Sequence, residues 1–398
     1  MTQPAIQAPP IPSPGKLVVF DTHPIQYRSP VFRELYRQHP EFRVYYFADQ
    51  FDSNRWWFHE VGKSPKQDWD LPLREGFPNE VVTRPYPGIL GFLRAASEIL
   101  RRERPRAIVI YGYYLPEHWA LWWLARYYQV PILFIGETMT RATTSWRSAI
   151  KGALQPLFFR GISQFISIGH RSAAFYQEFS IPDEHITRAK YCIDTKFFEL
   201  SAEEGRRTRE RLRENLGLPT NAVVILFVGR LFERKRPQDV LALHQLLENP
   251  RVHTLVVGNG PMEADLRKAG ANLSRLQFLG FKNQAETRDL YYAADLLFVP
   301  SEYETWGLVV NEAAAAGLPS IVTEDCGAAN DLVESGETGF VYPVGNLNRV
   351  ARVMKGALED PRLLPTWGRK ARERVRAHYR VDQFAQAMLN ALSVAVGR

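Results

Sequence analysis

The sequence predicts an α/β protein of two Rossmann-like domains whose parallel sheets face each other across a cleft. Three observations carry this. The chain has 398 residues, too long for one ordinary core and suited to two. Apolar runs of strand length alternate with amphipathic stretches along most of it, the pattern of parallel α/β sheets. That pattern occurs twice, on either side of the charged, helical stretch Ser201–Asn215.

In the first half, runs of β-branched, aliphatic and aromatic residues place strands at Lys16–Asp21, Phe42–Phe47, Ala107–Tyr111, Ile132–Ile135 and Phe165–Ile168, with a helix at Pro30–Gln38. In the second half strands are expected at Val223–Gly229, Thr254–Gly258, Leu276–Leu279, Leu296–Pro300, Ser320–Thr323 and Phe340–Tyr342. Helices Pro237–Leu247, Met262–Ala269 and Gln284–Ala294 fall between them. The resulting division is a Pro-rich tail over 1–15, a first domain over 16–200, a second over 201–381, and a last helix over 382–398 that is a candidate to pack back on the first domain.

Bulk properties narrow the class. An apolar fraction of 45% and a charged fraction of 23% are those of a soluble globular protein. The tail has neither a basic start nor an apolar core, so it does not read as a secretory signal. The stretch from Trp119 to Ile135 contains Arg126, Gln129 and Pro131 and reads as helix, turn and strand, not as a membrane span. Two cysteines, Cys192 and Cys326, are too few for a disulfide framework and fit a reducing, cytoplasmic compartment. The net charge of +7 favours anionic partners. No RNA-binding or helix-turn-helix signature is present, so nucleic acid is not expected.

The segment from Pro300 to Ala313 carries the strongest chemical signal. It follows a strand and opens an Ala-rich helix that stops at Gly317, the position at which open α/β sheets bind ligands. At the helix start the backbone amides of Trp306, Gly307, Leu308 and Val309 are placed to hold a diphosphate. Thr305 lies in the same turn. Glu312 is placed to accept hydrogen bonds from ribose hydroxyls, and Glu304, eight residues earlier, to meet a second sugar. The competing reading is a capped helix with two solvated glutamates. A second element is Gly229, Arg230 and Lys235, where a strand ends in a basic loop suited to phosphate. A third is Gly258 and Gly260, which permit close approach of a base or ribose or simply form a tight turn. Phe281, after another strand, is a candidate flank for the nucleobase.

Taken together, these residues resemble the retaining GT-B glycosyltransferases that carry a Glu-x7-Glu signature (the glycosyl transferases group 1, or family 4-like). The resemblance covers nearly all of the second domain, including the later stretch Glu334–Gly339. It implies that Arg230 and Lys235 neutralise the donor diphosphate, that Glu304 contacts the transferred sugar, and that Glu312 holds the ribose. It also implies a nucleoside-diphosphate sugar as co-substrate, with no cofactor and no metal. The acceptor would be a glycan, lipid-linked or small-molecule hydroxyl, in bacterial polysaccharide or glycoconjugate synthesis. Rival readings are a GT-B epimerase and a non-catalytic nucleotide-sugar-binding protein.

The first domain departs from the family pattern, with no Gly-rich loop after its first strand. Its segment Thr22 to Arg28 is similar instead to a subgroup of bacterial relatives, which implies that His23, as a catalytic-side residue, and Gln26 face the cleft. The family histidine after the fourth strand is missing; Tyr111, Tyr113 and His118 are the alternatives for its position. Asp68 and Asp70 spell an Asp-x-Asp, but in an irregular stretch that reads as solvated loop. The stretch Thr138–Gln177 has basic but no acidic residues, with Trp146, Leu154, Leu157 and Phe158 interleaved, and Gly88–Arg106 adds five arginines near Leu90, Phe92 and Leu93. Both suit a peripheral contact with the inner face of a membrane, although a basic face alone is a weak criterion and an amphipathic helix packed on the domain has one too.

Overall fold

The structure, a computed structural model, describes residues 15–49, 72–137 and 154–397. Asp68, Asp70, Trp146 and most of the basic stretch before Leu154 lie outside the described residues.

The first domain is built on a seven-stranded parallel sheet of order β3-β2-β1-β4-β5-β6-β7. Its strands are β1 (Leu17–Asp21), β2 (Phe42–Tyr46), β3 (Asn79–Val81), β4 (Ala107–Tyr111), β5 (Ile132–Ile135), β6 (Gln164–Ser167) and β7 (Ile186–Arg188). The second domain holds a six-stranded parallel sheet of order β10-β9-β8-β11-β12-β13. Its strands are β8 (Val223–Val228), β9 (Val252–Val257), β10 (Leu276–Gly280), β11 (Leu296–Val299), β12 (Ser320–Thr323) and β13 (Gly339–Tyr342). The edge strands β3 and β7 go beyond the sequence expectation. Each is three residues long and partly exposed, too short to show a hydrophobic period.

All five residues of β1 are buried, because helices cover both faces of a parallel sheet. Successive side chains serve opposite sides: Leu17 and Val19 join one core, Val18 and Phe20 another. The core containing Val19 runs on without a break into the second domain through Tyr191, Trp306 and Tyr379. In each sheet the strand order reverses direction once, between β1 and β4 and between β8 and β11. Loops diverge there and leave a crevice at the carboxyl ends of the strands. His23 follows β1, Tyr113 follows β4, Gly229 follows β8 and Glu304 follows β11.

The last helix, Val381–Val396, packs against helix Ser29–Gln38 and across β5, β6 and β7 of the first sheet. Met388 and Leu392 on it are fully buried. Among the described residues no helix is long and apolar enough to cross a membrane. Of the residues read as a lipid-facing surface, Phe92 and Phe158 are in the core, whereas Leu90, Leu154 and Leu157 are exposed. The two cysteines are both buried and unpaired.

Because that helix closes the first domain from the far end of the chain, its loss should be felt there. Phe384→Ala, at a side chain 3% exposed, is expected to cost about 3–5 kcal/mol in denaturant unfolding. A loss well below 1 kcal/mol would show that the helix is only loosely docked.

Candidate functional site at the interdomain cleft

Strands β8, β9 and β10 end in turns that are hydrogen-bonded to one another. The Gly229 amide donates to Val257 O (3.0 Å), the Gly258 amide to Gly280 O (2.8 Å), and the Leu231 amide to Asn259 O (2.9 Å). A Cβ on Gly258, whose φ is +129°, would stand 1.9 Å from Gly229 O, and one on Gly260 would stand 2.4 Å from Leu231 O. The space beside these two glycines is therefore filled by neighbouring backbone. The missing side chains are what let these turns pack against one another. Phe281 follows the positive-φ Gly280 and is 42% exposed.

The basic loop after β8 is fastened to the loop after β11. The Glu302 amide donates to Arg234 O (2.9 Å) and Arg234 Nη1 to Tyr303 O (3.3 Å). Within that frame the Lys235 ammonium makes an ion pair with the Glu304 carboxylate. Burial and then the adjacent Arg234 guanidinium lower the ammonium's affinity for its proton, with Cys326 acting in the opposite sense. Arg230 is half-buried in the same loop, and burial lowers its pKa as well.

Glu304 is placed by its backbone. Its amide donates to Asp325 O (3.1 Å), its carbonyl accepts from the Gly327 amide (2.8 Å), and it bridges in parallel with Cys326. Thr305 O would lie 2.1 Å from a Cβ on Gly327, so that glycine lets the two segments touch. Gly307 then turns with φ +92° and caps helix Leu308–Ala316 without offering a side chain. The amides of Leu308 and Val309 thus begin the helix at the crevice, where the first N–H groups of any helix lack intrahelical acceptors. Glu312 lies in the second turn. The Tyr291 hydroxyl donates to its Oε2 at 2.6 Å. Burial pushes the Glu312 carboxyl up to about 7, with the Tyr291 bond acting in the opposite sense. The pocket onto which it opens is also lined by Gln26 and Arg33 from the first domain and by Phe197 and Gln284, so Gln26 and Glu312 line one pocket from opposite domains.

On the first-domain side, His23 Nδ1 lies 3.0 Å from the Thr22 hydroxyl. Burial, reinforced by the Arg28 guanidinium, pulls the imidazole down to about 4, so it is neutral near neutral pH. Tyr113 is half-buried against Phe134, Phe158 and Phe159. Its hydroxyl is pushed up to about 12 by burial and then by Tyr303 of the second domain, which sets it at the cleft. His118 corrects the expectation for an acceptor-side residue. It is 0% exposed, and its Nδ1 accepts from the Leu115 amide at 3.2 Å, capping the start of helix Pro116–Tyr127. Tyr111 is likewise buried, under the Arg28 guanidinium at 4.0 Å from its ring centroid.

Sequence reasoning missed the seam between the halves. Trp306 is 2% exposed; its Nε1 donates to Asn311 Oδ1 (2.7 Å), and Asn311 Nδ2 donates to Tyr191 O of the first domain (2.8 Å). Gly169 makes room, since a Cβ there would lie 2.4 Å from the indole. Beside it, Asp331 Oδ2 takes both the amide and Nδ1 of His170, each at 2.8 Å. It also missed a charged cluster at the ends of β1 and β5: the buried Asp21 and Arg28 with the partly exposed Glu137. The available signal was an acidic residue closing an apolar strand, at Asp21, and one just beyond another, at Glu137.

This arrangement can hold an anionic ligand in the second domain and present it to the first. Residues 208–374 match the family described as Glycosyl transferases group 1. The C-terminal domain belongs to that family. Over 182 residues the chain is 30% identical to N-acetyl-alpha-D-glucosaminyl L-malate synthase of Bacillus anthracis, covering 45% of this chain and 47% of the relative. Over 174 residues it is 34% identical to D-inositol 3-phosphate glycosyltransferase of Streptomyces bingchenggensis, covering 40% of this chain and 38% of the relative. The chain thus spans about half the length, or less, of the curated relatives it matches. Whole-chain likeness comes from structure. Anabaena HepE, solved with UDP and glucose, superposes with a TM-score of 0.73 at 20% identity, covering 95% of this chain and 99% of that one. Sucrose-phosphate synthase of Thermosynechococcus elongatus gives 0.73 at 19% identity, covering 94% and 98%. These likenesses show the fold, which is GT-B.

The group 1 domain's turns make a direct test of glycine packing. Gly258 and Gly280 both have positive φ, yet only at Gly258 would a Cβ meet backbone. Gly258→Ala is expected to lose about 1–3 kcal/mol more than Gly280→Ala, read from melting midpoints. Equal losses would mean the turns are not tightly packed.

Proposed function

We propose that the chain is a retaining glycosyltransferase that moves a sugar from a nucleoside-diphosphate sugar to an acceptor hydroxyl without a divalent metal. The observation that carries this is the Lys235–Glu304 ion pair set against the Gly307 helix start, with Arg230 in the same loop as Lys235 and Glu312 in the helix's second turn. In this reading a cationic pair and helix amides balance the diphosphate charge that a metal would otherwise take. HepE, with the same fold, has been solved with UDP and glucose.

In this reading the bond from the sugar's anomeric carbon to the phosphate oxygen breaks. Arg230, Lys235 and the Leu308 and Val309 amides stabilise the departing diphosphate. The acceptor oxygen bonds to the same face of the carbon, and its proton passes to the leaving phosphate oxygen. Catalysis is then mostly electrostatic. His23, neutral as buried, is placed to accept or donate a hydrogen bond at the cleft, not to carry charge. The acceptor range spans glycans, lipid-linked sugars and small molecules. The exposed Tyr86, Ile89 and Leu90 support a peripheral membrane contact within that range, which sedimentation with anionic vesicles reads directly.

Lys235→Ala and Arg230→Ala, assayed in EDTA, should each lower turnover by about 2–4 kcal/mol of transition-state stabilisation while the fold survives. Wild-type activity abolished by EDTA and restored by Mn²⁺ would overturn the metal-free mechanism. Near-normal rates in both variants would place the diphosphate elsewhere.

The two glutamates should fail differently. Glu312→Gln weakens free nucleoside diphosphate, because ribose contacts are the same in ground and transition states. Glu304→Gln leaves that affinity nearly unchanged and lowers the rate. The Glu312 carboxyl is raised by burial to about 7. Its protonated form is therefore the one the fold favours, and its contribution to stability fades as pH rises from the unfolded value through about 7. Ribose binding runs the other way, since only the carboxylate accepts from two hydroxyls. Calorimetry between pH 6 and 8 should show nucleotide affinity rising more steeply in wild type than in Glu312→Gln. Parallel slopes would show that Glu312 does not hold the ribose.

A further inference from the structure

Glu137 follows β5 at the carboxyl edge of the first sheet, across the seam from the donor helix. Its Oε1 gathers three donors: Arg28 Nη2 at 3.0 Å, the Tyr27 hydroxyl at 3.4 Å and the Tyr191 hydroxyl. None of these bonds uses Oε2. The side chain is 31% exposed, whereas its partner Arg28 is 10% exposed and Asp21, on the other side of Arg28, is 0% exposed. One carboxylate oxygen is thus immobilised in the floor of the first domain, and the group retains a face toward solvent. Tyr191 ties this floor to the donor side, since its backbone oxygen accepts from Asn311, the residue before Glu312.

We propose that Glu137 is an acceptor-binding residue, whose Oε2 receives a hydrogen bond from a hydroxyl of the acceptor substrate. This rests on the reading of the chain as a glycosyltransferase. Three donors on Oε1 remove the rotamer freedom of the side chain, so the open oxygen is positioned before the acceptor arrives. Its chemistry also selects. Oε2 is a hydrogen-bond acceptor, so the group that docks against it is a hydroxyl donor, not the acceptor-only oxygens of a phosphate or a carboxylate. An anionic acceptor group would stand against a fixed negative charge.

The chemistry of glutamine makes the test sharp. In Glu137→Gln the amide oxygen still accepts from Arg28, Tyr27 and Tyr191, but the open position becomes an N–H donor. Glu137→Ala removes both. The full chain and both variants are compared by calorimetry with UDP and GDP. They are then compared in turnover of UDP-glucose and GDP-mannose with water alone and with neutral methyl glycosides of glucose, galactose and mannose. The 6-phosphates of the same sugars serve as anionic probes. In Glu137→Gln, nucleotide affinity, donor hydrolysis by water and the melting midpoint should stay near wild type. The KM for the neutral acceptor should rise about tenfold or more, as for a lost charge-assisted hydrogen bond. A Gln variant with wild-type acceptor KM, beside an unstable Ala variant, would make Glu137 purely structural and overturn the proposal. So would nucleotide binding by a wild type that uses only the phosphorylated probes or none of the probes. Failure of the wild type to bind either nucleotide would instead bring down the glycosyltransferase reading itself.

Discussion

The Trp306 indole is the constraint on which the rest of the cleft depends. It is large, almost wholly buried, and has one polar atom that must be satisfied where it lies. Asn311 satisfies it and passes its own amide on to Tyr191 of the first domain. The ring also meets Tyr191 and Tyr379 edge-on or tilted. Trp306 is immediately followed by Gly307, so anchoring the ring sets where the left-handed turn and the donor helix begin. A helix N-terminus displaced by an ångström would no longer aim its amides at the crevice. The seam between domains and the start of that helix are therefore one packing problem.

Around that anchor, burial creates the site's electrostatics. Lys235 and Glu304 are both largely withdrawn from water and neutralise each other across two loops. In the proposed reaction, a diphosphate would give Lys235 a second anionic partner beside Glu304. Glu312 is forced toward its protonated state by the same exclusion of solvent, so its proton affinity is poised near neutrality. Arg28 holds Asp21 and Glu137 against β1 and β5, and its guanidinium also contributes to keeping His23 uncharged. Each group takes its properties from neighbours far away in the chain.

Much of this was legible residue by residue. Parallel buried strands are continuous apolar runs, so β1, β4, β5, β8 and β11 could be read directly, and Gly317 marked the end of the donor helix. The Glu304–Glu312 spacing with Arg230 and Lys235 was readable because it lies within short loops that follow such strands. The three-residue edge strands were not readable, since so short a segment carries no period. His118 could be placed on the helix after β4 from its sequence position, but not the direction of its ring, which turns inward to cap that helix's own backbone.

What the sequence by itself determined is therefore local and periodic. It set where strands and helices form, which strand ends carry loops, and which loops hold charge, because hydrophobic patterning and turn chemistry act over a few residues. Only the tertiary structure decided which of those loops meet. Lys235 and Glu304 are brought together from 69 positions apart, Tyr191 and Asn311 from 120, and Arg28 and Glu137 from 109. No short-range pattern encodes such contacts. They follow from closing one core over two sheets, where a buried polar group must find a partner wherever packing delivers one.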